Sequence, residues 1–323
     1  MDTPPLPSPP RIFARQPGWT PASAAVAVGN FDGVHVGHAA IARRLRAAAD
    51  RLAVPAVVLT FDPHPACVVR PATAPPPLTT PRRRADLLLA LGIDAVFVQP
   101  TDARLVGLEP EVFYAAILRG SLRAEALVEG EDFRFGARRR GDVRLLDTLC
   151  RGDGISLDVV PPVLDGGRAV SSSRLRELIS AGDVAEAARL STAAYRITGT
   201  VVTGARRGAT LGFPTANLAE IATLLPGQGV YAAVAELPTG ARHAAAVHIG
   251  PNASFGGTDV SVEAHLVGYA GDLYGSRLDV DFLARLRDTR RFATVEDLTS
   301  QLADDVALAA RIAASHLTSA ARI

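Results

Sequence analysis

Lysine is absent from all 323 residues: each of the 34 basic side chains is an arginine. That excludes a Schiff-base lysine and the lysine of a Walker-type phosphate loop, so any phosphate clamp must use Arg, backbone N–H groups or a metal. Cysteine is scarce. Cys67 and Cys150 are too few for a disulfide framework or a zinc site, which points to a reducing cytosol. A charge excess of either sign is also missing: 34 basic against 33 acidic residues leave a net charge of +1. Composition therefore gives no electrostatic case for nucleic acid or an anionic membrane. No apolar run is long enough to span a bilayer, and no basic-then-apolar leader opens the chain, so the sequence predicts a soluble, cytoplasmic protein with small-molecule partners. What is plentiful is apolar side chains, 48% of the total, enough at this length for two cores.

The chain is organised around Gly29-Asn30-Phe31-Asp32-Gly33-Val34-His35-Val36-Gly37-His38, set between an apolar run, Ala24 to Val28, and a helical stretch from Ala39 to Leu52. A strand that breaks at glycine and re-enters a helix places backbone N–H groups and the positive helix end where a phosphate can sit. His35 and His38 are three apart at the helix start, so both imidazoles can face one spot, with Gly37 leaving room for a ligand. They can donate hydrogen bonds to a triphosphate and steady the charge that grows as pyrophosphate leaves. An N-terminal cap or a metal pair are the alternative readings of the same spacing.

Residues 1 to 10 are half proline, and a disordered tail is expected to residue 20. From Ala24 to about Val163, short apolar strands (Ala24–Val28, Ala56–Thr60, Ala95–Gln99, Ala126–Glu129, Ser156–Val160) alternate with helical stretches (39–52, 82–91, 110–118, 144–150). That alternation predicts a doubly wound parallel α/β sheet with its ligand crevice at the carboxyl ends of the strands. Three further segments fall at such ends: Thr60-Phe61-Asp62-Pro63-His64-Pro65; the loop Glu129 to Asp142, where Phe133 or Phe135 could stack on a flat ring and Asp132 accept a hydrogen bond from it; and Val170-Ser171-Ser172-Ser173-Arg174-Leu175-Arg176, which reads as an anion cradle at a helix start. Each also has a plainer reading, as a proline-stiffened loop, a solvated turn and ordinary N-caps.

After Arg196 the texture changes to short strands with glycine punctuation, at 197–203, 229–236, 244–249, 260–266 and 278–282, followed by a helix from Thr294. That spacing predicts a small antiparallel barrel with a helix packed across it. Thr215 and Asn217, in Gly212-Phe213-Pro214-Thr215-Ala216-Asn217, supply two hard oxygens suited to Mg²⁺ beside ATP phosphates. A turn-shaping role is the other reading of that segment. Alternation places Glu263 opposite Val262 and Ala264 on its strand.

In the order of these segments the chain resembles the bacterial bifunctional riboflavin kinase/FAD synthetase family. The ten-residue stretch looks like that family's nucleotidylyltransferase signature, and Val170 to Arg176 is similar to its second motif. Gly204, Arg207, Gly208 and Pro214 to Asn217 resemble its riboflavin kinase signature. The resemblance implies a nucleotidylyltransferase domain at 21–192 and a Greek-key β-barrel kinase domain at 193–323. It implies phosphorylation of riboflavin to FMN and adenylylation of FMN to FAD, with ATP as co-substrate and Mg²⁺ as cofactor. It assigns His35, His38 and Arg176 to adenylyl transfer and Glu263 to general base catalysis. Gly29, Phe31, Asp32, Gly37, His64, Asp132, Phe133, Ser171, Ser172, Gly204 and Arg207 become nucleotide or flavin contacts, and Thr215 and Asn217 metal contacts.

The kinase half departs from the commoner pattern at Ala209, at Asn252-Ala253-Ser254-Phe255 and at Thr289, and the connector reads Thr192-Ala193-Ala194-Tyr195. Two alternatives stay open on the sequence: a specialised paralogue with one active half or another substrate, and an idle flavin- or nucleotide-binding protein.

Overall fold

The computed structural model describes residues 9–15, 22–204, 207–251 and 260–319. They fall into two compact units, Met1–Ser172 and Ser173–Ile323. In the first unit β1 (Arg11–Ala14), β2 (Ala24–Val28), β3 (Ala56–Asp62), β4 (Ala95–Pro100), β5 (Ala124–Gly130) and β6 (Ser156–Val160) form one sheet in the order β1-β4-β3-β2-β5-β6. All but β1 run parallel. The central strands are apolar on both faces because helices cover both: every residue of β2 is buried. Val26, Val28, Leu59 and Leu127 point into one core layer. Ala25, Ala27, Val58 and Val128 point into the other.

The connecting helices are α1 (Val36–Leu52), α2 (Pro65–Val69), α3 (Pro81–Ala90), α4 (Ala103–Val106), α5 (Pro110–Phe113) and α6 (Val143–Asp153). The predicted helix at 110–118 is α5 continued by a π-helical turn, Tyr114–Ser121, closed by the bond from Leu122 N–H to Ile117 O, 2.9 Å. Helix α1 starts three residues earlier than expected because His35, not a later residue, caps it. Residues 11–14, expected in a disordered tail, are a correction: they pair antiparallel with β4, Arg11 opposite Val98 and Ala14 opposite Ala95. Phe13 packs into one core layer and Ala14 into the other, and the strand covers what would be a bare sheet edge.

The second unit opens with α7, of which Ser172–Ala181 is the full range, and α8 (Val184–Arg189). β7 (Tyr195–Val202), α9 (Arg207–Thr210), β8 (Ala216–Ala219), β9 (Gly229–Glu236), β10 (Arg242–Pro251), β11 (Val260–Leu266) and β12 (Arg277–Arg287) follow. The six strands close into an antiparallel barrel in the order β7-β8-β11-β10-β9-β12. Strand β8 was not among the five predicted; it is the segment carrying Asn217, and without it the barrel would stay open. Ile197, Val247, Ala264, Val280 and Phe282 are fully buried, and Phe282 meets the Tyr231 ring edge-on at 5.3 Å. The last helix, α10 (Val295–Ser319), starts as predicted: Thr294 Oγ1 accepts from Asp297 N–H. It packs Ala309 and Ala313 onto the barrel, where Ala313 shares a core cluster with Val234, Ala244 and Leu283.

Candidate active sites

In the first unit the break between β2 and α1 is held in an unusual backbone shape. Phe31 (φ 46°) and Val34 (φ 36°) both lie in the left-handed region, where a β-branched residue is strained. The Asp32 side chain fixes this shape. It is 2% exposed, and it accepts hydrogen bonds from the N–H groups of Leu78 and Thr79 and from the Thr79 hydroxyl, each at 2.9 Å. Buried Arg84 lies 3.6 Å away and also donates to Thr60 Oγ1 and Phe61 O. Asp32 thus ties the strand-to-helix loop to the loop before α3, and it does not line the cleft beside it.

His35 and His38 are brought together as a reciprocal cap. His35 Nδ1 accepts from His38 N–H and His38 Nδ1 accepts from His35 N–H, both at 3.3 Å. The rings stack with centroids 3.6 Å apart and an 18° interplanar angle. Of the readings left open by the sequence, the cap is therefore real, and it leaves each ring a nitrogen free of the cap. An Nδ1 that accepts a hydrogen bond carries no proton, so each neutral ring keeps its proton on Nε2, the one ring donor left for a ligand.

Burial reinforces neutrality. It pushes His35 down to about 4 against smaller upward pulls from Asp132 and Asp32. His38 is pushed well below the usual histidine range by burial, by His35 and by Arg84. Gly37 also suits the pair itself: a Cβ there would meet the His35 ring at 3.0 Å, tighter than ordinary van der Waals contact.

The depressed His35 pKa has a sign that can be measured. The unfolded chain binds a proton on this residue from pH 6.5 downward, while the folded protein does so only near 4. Stability conferred by the neutral ring is complete above 6.5 and is lost as pH falls through that window, by about 3 kcal/mol for a shift of this size. His35→Asn keeps a capping acceptor and does not titrate. Urea unfolding at pH 7 and pH 4.5 should show a smaller acid loss for the variant; an equal loss would overturn the assignment.

These groups open on a cleft of about 1690 Å³, larger than one drug-sized ligand needs. His35, His38, Gly29, Phe31, Gly37, His64, Asp132, Phe133, Ser171 and Ser172 line it. His64 caps α2 through its Nδ1. Phe133 stacks on Phe135 at 5.5 Å, and Phe135, 5% exposed, belongs to the core. Ser172 Oγ donates to Asp32 O at 2.8 Å, so its hydroxyl braces the first motif. Arg176 lies on α7 within the second unit.

In the barrel three neighbouring strands carry a row of polar residues. Asn217 on β8 is opposite Glu263 on β11, which is opposite His248 on β10. All three are half-buried. Gly204 lies against Asn217 so closely that a Cβ would come within 2.5 Å of Asn217 Cγ and 2.7 Å of Oδ1. Thr215 sits beyond Pro214, whose carbonyl is 2.8 Å from His265 Nδ1. Gly204→Ala should therefore displace the Asn217 amide and lower activity carried by the barrel at least tenfold, leaving that of the first unit unchanged, as paired assays of the two would show. The Arg207 side chain and residues 252–255 lie outside the described residues. Thr289 lies near the row: a Cβ on Gly250 would meet its Cγ2 at 3.4 Å and the His248 ring at 2.7 Å.

Sequence reasoning missed Arg84, His248 and Glu129 as site residues. Arg84 had a signal, since it shares the inward phase of α3 with Ala85 and Leu88. His248 had none until register placed it beside Glu263.

Two family models match the chain in the same order as its two folds: FAD synthetase over residues 19–174 and riboflavin kinase over 191–313. The bifunctional riboflavin kinase/FMN adenylyltransferase of Escherichia coli (strain K12) is 34% identical over 86% of this chain and 89% of its own. The enzyme of that description from Pseudomonas fluorescens is 36% identical over 89% and 92%. A solved structure from Streptococcus pneumoniae, described as a macrolide-efflux protein, superposes with a TM-score of 0.79 at 31% identity, covering 88% of this chain and 93% of that one. Among the described residues no helix is long and apolar enough to cross a membrane. Two domain matches in series, and relatives matched over nearly their whole length, give the chain both activities: phosphorylation of riboflavin to FMN by ATP, and adenylylation of FMN to FAD. The unit with the histidine pair at its strand-to-helix break and the barrel bearing the Asn–Glu row are thus the two halves of one enzyme, and the chain belongs to the bifunctional riboflavin kinase/FMN adenylyltransferase family.

Proposed function

We propose that adenylyl transfer takes place in the first-unit cleft, and that the reciprocal cap of His35 and His38 is the observation that carries this assignment. The FMN phosphate attacks the α-phosphorus of ATP, the bond from that phosphorus to the bridging oxygen breaks, and pyrophosphate leaves. The nucleophile is already anionic, so the protein positions it and steadies charge without a general base. Neutral imidazoles with Nε2–H donors suit that task, since they stabilise the leaving oxygens while keeping the proton. Ser171 adds a hydroxyl at the start of α7, Asp132, His64 and Phe133 hold the substrates, and Asp32 and Ser172 act as positioning residues.

Riboflavin phosphorylation belongs to the barrel. Glu263 takes the proton of the ribityl 5′-hydroxyl as its oxygen attacks the γ-phosphorus of ATP and ADP departs. Thr215 and Asn217 would hold Mg²⁺ together with the nucleotide phosphates. The fit rests on chemistry: both offer neutral hard oxygens, and the missing side chain at Gly204 lets the Asn217 amide lie where it does. Among the described residues no cluster of three His, Cys, Asp or Glu offers a separate metal site. A bound Mg²⁺ would neutralise charge on the transferring phosphoryl group.

The riboflavin kinase domain begins near residue 193, close to the start of its family match at 191, although α7 and α8 group with the barrel in the compact second unit. The enzyme works in the cytoplasm on small molecules without nucleic acid, and unpaired Cys67 and Cys150 support a reducing compartment. The test is product analysis by liquid chromatography and mass spectrometry, with riboflavin, Mg²⁺ and ATP in one tube and FMN, Mg²⁺ and ATP in another. FMN followed by FAD in the first tube and FAD in the second is expected. FAD in the second tube alone would take the kinase step away from the barrel.

A further inference from the structure

Glu129 is a buried carboxyl that neither reaction scheme uses and, unlike buried Asp281 and Asp305, it has no arginine beside it among the described residues. It stands where β2 and β5 part. The ladder between these strands ends at Val26 opposite Leu127, whereas β2 stays paired with β3 to Val28 and β5 with β6 to Gly130. Strands β3 and β4 lie on one side of β2, and β5 and β6 on the other, so this gap is the topological switch point at which doubly wound sheets hold their ligands. Glu129 Oε1 fills the gap by accepting from Val28 N–H at 2.8 Å.

The second oxygen has no such role. The residue is 1% exposed, and no cation pairs with it among the described residues. No hydrogen bond to Oε2 forms among the described residues, and Glu129 is one of the residues that line the cleft. Its surroundings are apolar. Leu127, Phe113, Phe135, Leu146 and Cys150 share that face of the sheet. The titratable groups there are Cys150 on α6, whose thiol burial pushes up to about 11, and Tyr114 on the π-helical turn, raised by burial and with its hydroxyl donated to Leu149 O. Strand β2 presents no titratable side chain. Asp158 of β6 is in register with Val128, on the opposite face, and pairs with Arg44. Glu131 and Asp132 follow in the loop.

We propose that Glu129 contacts substrate in the adenylyltransferase cleft, its Oε2–H donating a hydrogen bond to an acceptor atom on the edge of a bound heteroaromatic ring. The chemistry follows from the site. An ionised carboxylate with one hydrogen bond and no cation is costly in such a setting, and burial raises this carboxyl well above the ordinary range. A protonated carboxyl anchored through one oxygen presents its O–H in a fixed direction. Isoalloxazine and adenine both carry ring nitrogens that accept such a bond, and flavin adds ring carbonyls.

This inference rests on the cleft being the adenylyl site, and the experiment separates the two. Initial rates with varied FMN and varied ATP would be compared for wild type, Glu129→Gln and Glu129→Met across pH 6 to 9. Glutamine can still accept from Val28 N–H and still donate; methionine fills the volume and does neither. Glu129→Met should raise KM about tenfold for one substrate and leave the other unchanged, and the substrate affected identifies the ring. Wild type should lose affinity for that substrate as pH rises, while Glu129→Gln stays flat and keeps a KM near that of wild type at pH 6.

Isothermal titration of the same substrate against wild type and Glu129→Met needs no turnover, so a defect there would persist even if the adenylyl assignment failed. Unchanged KM values and an unchanged pH profile in Glu129→Met would overturn the proposal. So would equal damage to both KM values in both variants with lowered melting temperatures, which would mark Glu129 as a structural plug.

Discussion

Glu263→Ala is expected to lower FMN formation from riboflavin by about 10²–10⁴-fold, the usual contribution of a positioned general base, and to leave FAD formation from supplied FMN unchanged. The strand geometry makes the experiment clean. Glu263 alternates with Val262 and Ala264, which are 2% and 0% exposed, so the carboxylate can be removed without opening the core on the other side of the strand. Its neighbours Asn217 and His248 are held by their own strands. Glu263→Gln keeps the shape and some hydrogen bonding, and should be nearly as inactive, because what is lost is the proton acceptor. Equal loss of both activities in either variant would sink the division of labour between the two units.

The second large effect is expected at His38. Replacement by alanine removes an Nε2–H donor from the adenylyl site, which should lower FAD formation from FMN by about 10²–10³-fold, with riboflavin phosphorylation retained. The same change leaves His35 N–H without its acceptor and should cost about 1 kcal/mol in stability. His38→Asn separates these effects: its side-chain oxygen can restore the cap, so stability recovers while activity does not. Urea unfolding read beside product analysis would show this. If stability and activity recover together, the residue is a cap and nothing more.

Much of this was legible in the sequence, for identifiable reasons. Strands such as Ala24–Val28 announce themselves because a strand covered on both faces must be apolar throughout, and Gly29 and Gly33 mark the break after it. What stayed hidden depends on contacts distant in sequence. Arg11–Ala14 becomes a strand only because β4 has an open edge. Strand β8 is four residues long and reads as a turn until its partners on either side are known. Asp32 belongs to the right motif, yet its carboxylate serves Leu78 and Thr79, some 46 positions away, a tie that no local pattern encodes. Glu129 and His248 gain meaning from strand pairing alone.

The mutual capping of His35 and His38 has a consequence for how this enzyme can change over time. In many active sites a reactive side chain hangs from a scaffold that would fold equally well without it, so selection can try substitutes one at a time. Here each imidazole closes the first turn of α1 for the other, and Gly37 accommodates the pair. A lineage that replaces either histidine with a residue lacking a capping acceptor weakens the helix start in the same step. A path to a different pair of side chains at these positions therefore runs through residues such as asparagine that can hold the first turn of α1 by themselves.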